Sequence, residues 1–242
     1  MVPTSTTGRL SQVVVAMDGP SGSGKSSTSR GVATRLGLRY LDTGAMFRAM
    51  TWWMLEQGVD VEDPEAVAKR VDAPVLVSGT DPQAPTITVD GTDVAAAIRT
   101  QEVTSSVSQV STVPAVRERL LREQRDVIGA GGIVVEGRDI GTVVAPESPL
   151  KVYLTASADV RAARRSNQDT AAGRRSSVED ARASVERRDH LDSTRATSPL
   201  RAAEDAVPVD TSQLSIDQVI VALSELASHR GLLAGCSAEA TR

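Results

Sequence analysis

Five consecutive apolar residues, Val13 to Met17, run through Asp18 into the glycine-rich stretch Gly19-Pro20-Ser21-Gly22-Ser23-Gly24-Lys25-Ser26. The apolar run is short and mostly β-branched, as a strand buried on both faces of a parallel sheet must be. The stretch after it satisfies G-x-x-x-x-G-K-[ST], and a helical pattern from Ser27 to Gly37 follows, which is the strand–loop–helix setting that gives this motif its chemistry. Glycines let the backbone curl so that successive N–H groups point inward, and the helix N-terminus adds partial positive charge. Gly19 through Ser27 are therefore the expected cradle for the phosphates of a nucleotide. Lys25 is expected to reach the β- and γ-phosphates, Ser26 to place its hydroxyl on Mg2+, and Ser27 to add a hydrogen bond. Lysine occurs elsewhere only at Lys69 and Lys151, so a chain that otherwise uses arginine keeps a compact ammonium here.

The rest of the chain alternates in the same way. Strand patterns at Leu38–Asp42, "GIVVEGRD", Leu150–Ala156 and "AVPVDTS" are separated by helical ones at Ala45–Gly58, "TQEVTSSVSQVS", "PAVRERLLREQRDVIGAGG", "VEDARASVERRDHLDSTR" and "SIDQVIVALSELASHRG". Gly37 reads as a helix stop, Pro114 as a first-turn residue and Ser157 as a helix cap. This order predicts a five-stranded parallel α/β sheet with right-handed crossovers and helices on both faces. Ligands then lie beyond the carboxyl ends of the strands, so Asp18, Asp42 and Glu136 to Asp139 are expected on one rim. Residues 61–100 differ: "PVLVSG" and "TITVDGTDV" alternate as strands and Asp90-Gly91 is a hairpin turn signal, which predicts a small β-rich insert. The expected organisation is a loose tail at 1–10, a core from 11–60 and 101–234 with a helical lid at about 157–187, and a second tail at 235–242.

Composition excludes several classes. The net charge is −4 and aromatic residues are 2% of the chain, so neither a polyanion-binding surface nor a base-stacking platform is expected, and no nucleic-acid partner. No apolar run approaches the roughly 20 residues of a membrane span. The single cysteine, Cys236, fits a reducing, cytoplasmic setting. A monomer is the default expectation. A GTPase would carry an N-K-x-D base reader and a transport ATPase an L-S-G-G-Q signature; neither occurs. His190 and His229 are too isolated to suggest metal ligands.

The acceptor has to come from outside the glycine loop. A hydroxyl acceptor benefits from a general base. A phosphate ester is already anionic at neutral pH and instead needs several guanidinium groups to cancel its repulsion from the donor. Arg48, Arg117, Arg138, Arg188 and Arg195 all fall in segments expected at the rim. Arg188, Asp192 and Arg195 follow helical spacing, which would put them on one face with Asp192 orienting the two arginines.

The segments "LDTGAMFR" (41–48), "IRTQEVTSSVSQVSTVPAVRERLLREQR" (98–125), "EGRDIGTVVAPESPLKVYL" (136–154) and "RDHLDSTRATSPL" (188–200) resemble the bacterial cytidylate kinase family, and the likeness extends from about Val13 to His229. The resemblance implies ATP and Mg2+ as cofactors and CMP or dCMP as acceptor. It implies that Thr43 and Arg48 meet the CMP phosphate and sugar, that Ser108, Arg117 and Asp139 read cytosine, and that Arg138 and Arg188 face phosphate. It further implies that Asp192 and Arg195 hold ribose and phosphate. Lys25, Arg138, Arg188 and Arg195 would act on the transferring group, and Arg161 and Arg165, with Arg164, Arg174 and Arg175, would close over ATP as a lid. Phe47 stands where the family usually has tyrosine, and Thr43 where serine is common. Two other readings stay open at this level: a kinase for a small alcohol with Asp42 as general base, and a nucleotide-binding regulator without turnover.

Overall fold

The computed structural model describes residues 12–171 and 177–232; the two tails, Arg174, Arg175 and Cys236 lie outside them. Strands β1 (Val14–Asp18), β2 (Arg39–Asp42), β6 (Ile133–Glu136), β7 (Leu150–Thr155) and β8 (Val207–Asp210) form one sheet in the order β2-β6-β1-β7-β8, with every pairing parallel. Helices cover both faces: α1 (Lys25–Leu36), α2 (Thr43–Glu56), α4 (Gln101–Val110), α5 (Pro114–Ile128), α6 (Ala158–Ala171), α7 (Val178–Thr194) and α8 (Ile216–His229). The expected fold class is borne out.

Strand alternation divides the interior. Val15, Met17, Tyr40 and Val134 pack with α1 and α8 on one face, while Ala16, Leu41, Ile133 and Val135 pack with α2, α4 and α5 on the other. Local signals set the ends of the elements. Gly37, at φ 64°, closes α1 through N–H bonds from Gly37 and Leu38 to the Thr34 and Ala33 carbonyls. The Asp42 carboxylate caps α2 by accepting from the Ala45 N–H at 2.8 Å. Ser177 and Ser215 open α7 and α8 with reciprocal capping boxes.

Residues 61–100 contain a three-stranded antiparallel sheet of β3 (Leu76–Ser78), β4 (Ile87–Val89) and β5 (Thr92–Asp93). Asp90 and Gly91 turn the β4–β5 hairpin at φ 50° and 80°, the paired positive angles such a two-residue turn requires. The segment also holds a helix, α3 (Pro64–Arg70), that the strand-like reading missed. Its signals were local: Asp63 caps the Glu65 N–H and Pro64 occupies the first turn. Val67, Val71, Ile87, Val89 and Ile98 join the same apolar cluster as α2 and α5.

The loop between β1 and α1 is held by close backbone contact. Gly19 has φ 143°, and a Cβ there would lie 2.0 Å from the Leu154 carbonyl oxygen on β7. Gly19→Ala therefore meets both backbone strain and a rigid clash. It is expected to lower unfolding stability by about 2–4 kcal/mol, read as a shift of the urea midpoint; an unchanged midpoint would refute the packing described.

Candidate active site

A cavity of about 710 Å3 opens at the carboxyl ends of β1, β2 and β6. Ser21, Gly22, Gly24, Lys25, Ser26 and Ser27 line one end of it, and Ser108, Arg117 and Asp139 the other. Thr43, Arg48, Arg138, Arg165, Arg188, Asp192 and Arg195 also line it, so sites far apart in sequence share one chamber. Gly19, Pro20 and Ser23 form the underside of the loop instead. The Gly19 carbonyl accepts from Arg138 Nη1 at 2.7 Å, the Pro20 carbonyl from Lys25 Nζ at 2.7 Å, and the Ser23 carbonyl from the Thr211 hydroxyl at 3.0 Å.

Lys25 is buried, and its ammonium is pushed down in pKa by that burial and next by Arg138, with Glu136 opposing. Glu136, at the tip of β6, is driven upward by burial and then by Asp42. It accepts from the Tyr40 hydroxyl at 2.5 Å and is hydrogen-bonded to the Ser26 side chain. Tyr40 is held protonated by burial and by the Glu136 charge. Glu136 was expected on the rim and lines the cavity, though no chemical role was assigned to it; Tyr40, which also lines the cavity, was not singled out.

Five arginines, Arg48, Arg117, Arg138, Arg188 and Arg195, line the chamber beyond the glycine-rich loop. Arg48 pairs with Asp42 at 3.1 Å, Arg138 with Asp192 at 2.9 Å, and Arg117 with Asp139 in a close buried ion pair. Arg195 Nη1 lies 3.6 Å from the other Asp192 oxygen. Arg188 makes one weak contact, to the Ser21 hydroxyl at 3.4 Å. Burial, then Arg138, pushes Arg188 down to about 10, and burial, then Arg117, also lowers Arg195. Burial by itself would raise Asp192, but Arg138, followed by Arg195 and Arg188, holds it below the usual carboxylate range. The buried atoms Arg48 Nε, Arg117 Nε, Arg188 Nε and Arg195 Nη2 have no hydrogen-bond partner. Each such orphan costs about 1–3 kcal/mol, and the five arginines together give the chamber the positive character that suits an oxygen-rich anion.

Several expectations need correction. Asp18 is not on the rim: it turns beneath the sheet tips and accepts from the Ile140 and Gly141 N–H groups at 2.8 and 2.7 Å. Asp192 pairs with Arg138 and Arg195, not with Arg188. Arg195 is not on the helical face, because α7 ends at Thr194; Arg195 has extended geometry and is fixed by its Nε bond to the Ser198 carbonyl at 2.7 Å. Thr43 lines the cavity, yet its hydroxyl donates to the Glu136 carbonyl at 2.7 Å, so it can offer a ligand only an acceptor. Arg161 does not line the cavity; it braces the loop from behind through the Ser21 carbonyl at 3.2 Å and an ion pair with Asp189. Arg164 binds Thr211 through its hydroxyl and carbonyl at 2.9 and 2.8 Å. Of the described arginines of this group, Arg161, Arg164 and Arg165, only Arg165 lines the chamber, paired with Asp169 at 3.3 Å. Asp189, unassigned from sequence, accepts from the Ser21 N–H at 3.0 Å.

Ser26 is exposed at the cavity mouth beside the Glu136 carboxylate. These hard oxygen donors suit Mg2+, which keeps most of its waters and is held largely by substrate phosphates. Among the described residues no group of three or more His, Cys, Asp or Glu could hold a metal by itself. No described helix is long and apolar enough to cross a membrane.

Comparison with known proteins places this chamber in a family. Residues 15–229 match the cytidylate kinase family. The chain is 57% identical over 220 residues to the cytidylate kinase of Streptomyces avermitilis, covering 90% of this chain and 94% of that one. It is 56% identical over 221 residues to the cytidylate kinase of Rhodococcus opacus, covering 91% and 96%. A solved structure of an uncharacterized protein from Eubacterium ventriosum shares the fold, with a TM-score of 0.50 at 9% identity over 90% of this chain and 99% of that one. The chain belongs to the cytidylate kinase family.

Proposed function

We propose that this protein transfers the γ-phosphoryl group of ATP to CMP or dCMP, giving ADP and CDP or dCDP. The observation that carries the reading is the set of five arginines, Arg48, Arg117, Arg138, Arg188 and Arg195, lining one chamber with the phosphate-binding loop. Gly22, Gly24, Lys25, Ser26 and Ser27 hold the ATP phosphates, with Arg165 closing from α6. Arg48, Arg138 and Arg188 hold the acceptor phosphate, while Asp192 and Arg195 meet the sugar. Ser26, together with the nucleotide phosphates, would hold Mg2+, which would supply neutralisation of the donor's negative charge. An oxygen of the CMP phosphate attacks the γ-phosphorus as the bond to the β-bridging oxygen breaks. That oxygen is already ionised, so no base is needed, and the chain contributes positioning and charge stabilisation.

Cytosine presents an amine donor beside acceptors at N3 and O2. The Asp139 carboxylate accepts from the amine and Arg117 donates to the ring acceptors. Phe47 supports this, since the Arg117 guanidinium lies over its ring at 5.2 Å and is steadied without the hydroxyl the family usually places there. Uracil would turn a carbonyl toward Asp139 and leave that carboxylate unpaired. The alcohol-kinase reading loses support at Asp42, whose two oxygens are engaged by the Ala45 N–H and by Arg48. We further propose residues 61–100 as the acceptor-side insert, residues 157–187 as a lid, a monomeric state, and a cytoplasmic role in pyrimidine nucleotide metabolism.

ADP release measured over CMP, dCMP, UMP and small alcohols should show turnover with the two cytidine nucleotides foremost; turnover of an alcohol with no response to CMP would overturn the reading. Asp139→Ala should lower the CMP-to-UMP ratio of kcat/KM by about tenfold or more, and retention of the full ratio would remove the base-reading role. Arg188→Met should reduce kcat/KM on the order of 10³-fold. Its urea midpoint should stay level or rise, because burial and then Arg138 already disfavour the Arg188 charge in the folded chain; a large stability loss would show that Arg188 holds the fold rather than the ligand.

A further inference from the structure

Asp18 ends β1 and immediately precedes the phosphate-binding loop, yet it is 4% exposed and does not line the chamber. Its two carboxylate oxygens accept from two consecutive N–H groups, Ile140 at 2.8 Å and Gly141 at 2.7 Å. These residues begin the π-helical turn Ile140–Val144, which directly follows Arg138 and Asp139. The N-terminus of such a turn leaves N–H groups without partners in the turn itself. The Asp139 side chain, at the position where a local cap would sit, makes no capping bond. It is instead committed to Arg117. The cap comes from 122 residues earlier in the chain, at Asp18.

The adjoining residue completes the arrangement. The Gly19 carbonyl accepts from Arg138 Nη1 at 2.7 Å, so Asp18 and Gly19 hold the segment 138–141 from both its side chain and its backbone. Only a carboxylate offers an acceptor to both N–H groups; an asparagine would turn an NH2 group toward one of them.

We infer that Asp18 is a positioning residue for the acceptor nucleotide: it fixes the backbone that aims Arg138 at the acceptor phosphate and Asp139 at the cytosine amine. This builds on the roles given above to Arg138 and Asp139. Asp18 itself touches neither substrate. Through the Asp18–Gly19 peptide, the donor loop and the acceptor-reading segment are set at one fixed distance.

The test is Asp18→Asn, compared with the parent in kcat, in KM for CMP and ATP, in CMP-to-UMP preference and in urea midpoint. Misaiming by a fraction of an ångström should raise KM for CMP by about 10- to 100-fold and lower the CMP-to-UMP ratio, with KM for ATP within about threefold. In the double variant Asp18→Asn/Asp139→Asn, base preference should fall no further than in Asp139→Asn alone, because both changes act through one group. Equal rises in KM for CMP and ATP, or no rise for CMP, would overturn the inference. If Asp139→Asn alone leaves base preference intact, the base-reading role fails, and Asp18 is then judged through Arg138 by the split between the two KM values. Should Asp18→Asn not fold, Asp18→Ser, which still accepts one N–H, takes its place under the same criteria.

Discussion

The structure turns on the repulsion among guanidinium groups crowded into one half-buried chamber. Arg48, Arg117, Arg138, Arg188 and Arg195 face it with Asp42, Asp139 and Asp192 as their carboxylate partners. Burial, then Arg138 and Arg48, disfavours the charge on Arg188, and burial, then Arg117 and Arg138, that on Arg195. Left without an anion, such a cluster opposes folding; the sheet and its helices hold it in place nonetheless. In the proposed reading, an acceptor phosphate entering the cluster meets preorganised donors and needs little reorganisation. The same positive field offsets the repulsion between acceptor and donor phosphates, which is the main barrier to bringing two anions together.

The fold supplies this geometry through the ends of three strands. β2 delivers Asp42 and, through the helix it opens, Arg48; β6 delivers Glu136, Arg138 and Asp139; β1 delivers the phosphate-binding loop. Parallel pairing in register, with Met17 and Asp42 both opposite Glu136, brings the strand ends to one level. Arg138 then bridges the halves, with one nitrogen on the Gly19 carbonyl and another on Asp192. Further from the loop, Arg117, Asp139 and Phe47 support one another, where the proposed reading puts base specificity.

Much of this was legible in the sequence because it is local. The phosphate loop, the five strands, the Gly37 stop and the Asp90-Gly91 turn are each specified within a few residues. The short helix at Pro64–Arg70 was equally local, marked by Asp63 and Pro64, but strand-like patterns on its C-terminal side obscured it. What spacing could not show were pairings made in three dimensions. Helical periodicity placed Arg195 on the face of Asp192, but the helix stops one residue before it. It paired Asp192 with Arg188, whereas the stronger partner is Arg138, 54 residues away. Asp18 looked like a ligand-facing strand tip because an acid after a buried strand commonly is one; its actual partners are backbone N–H groups from a turn no pattern announced. Arg161 followed the logic of a basic lid, but the nearby Ser21 carbonyl and Asp189 claim it.

The central claim is that the chamber stabilises the fully ionised acceptor phosphate. It is tested most directly by following the 31P resonance of CMP bound at saturation while pH is lowered. The second ionisation of a free phosphate monoester has a pKa of about 6. Surrounded by Arg48, Arg138 and Arg188, the bound phosphate should remain a dianion and show no titration down to about pH 5. A bound resonance that titrates with the pKa of free CMP would mean that these guanidinium groups do not hold the phosphate, and the account would be wrong.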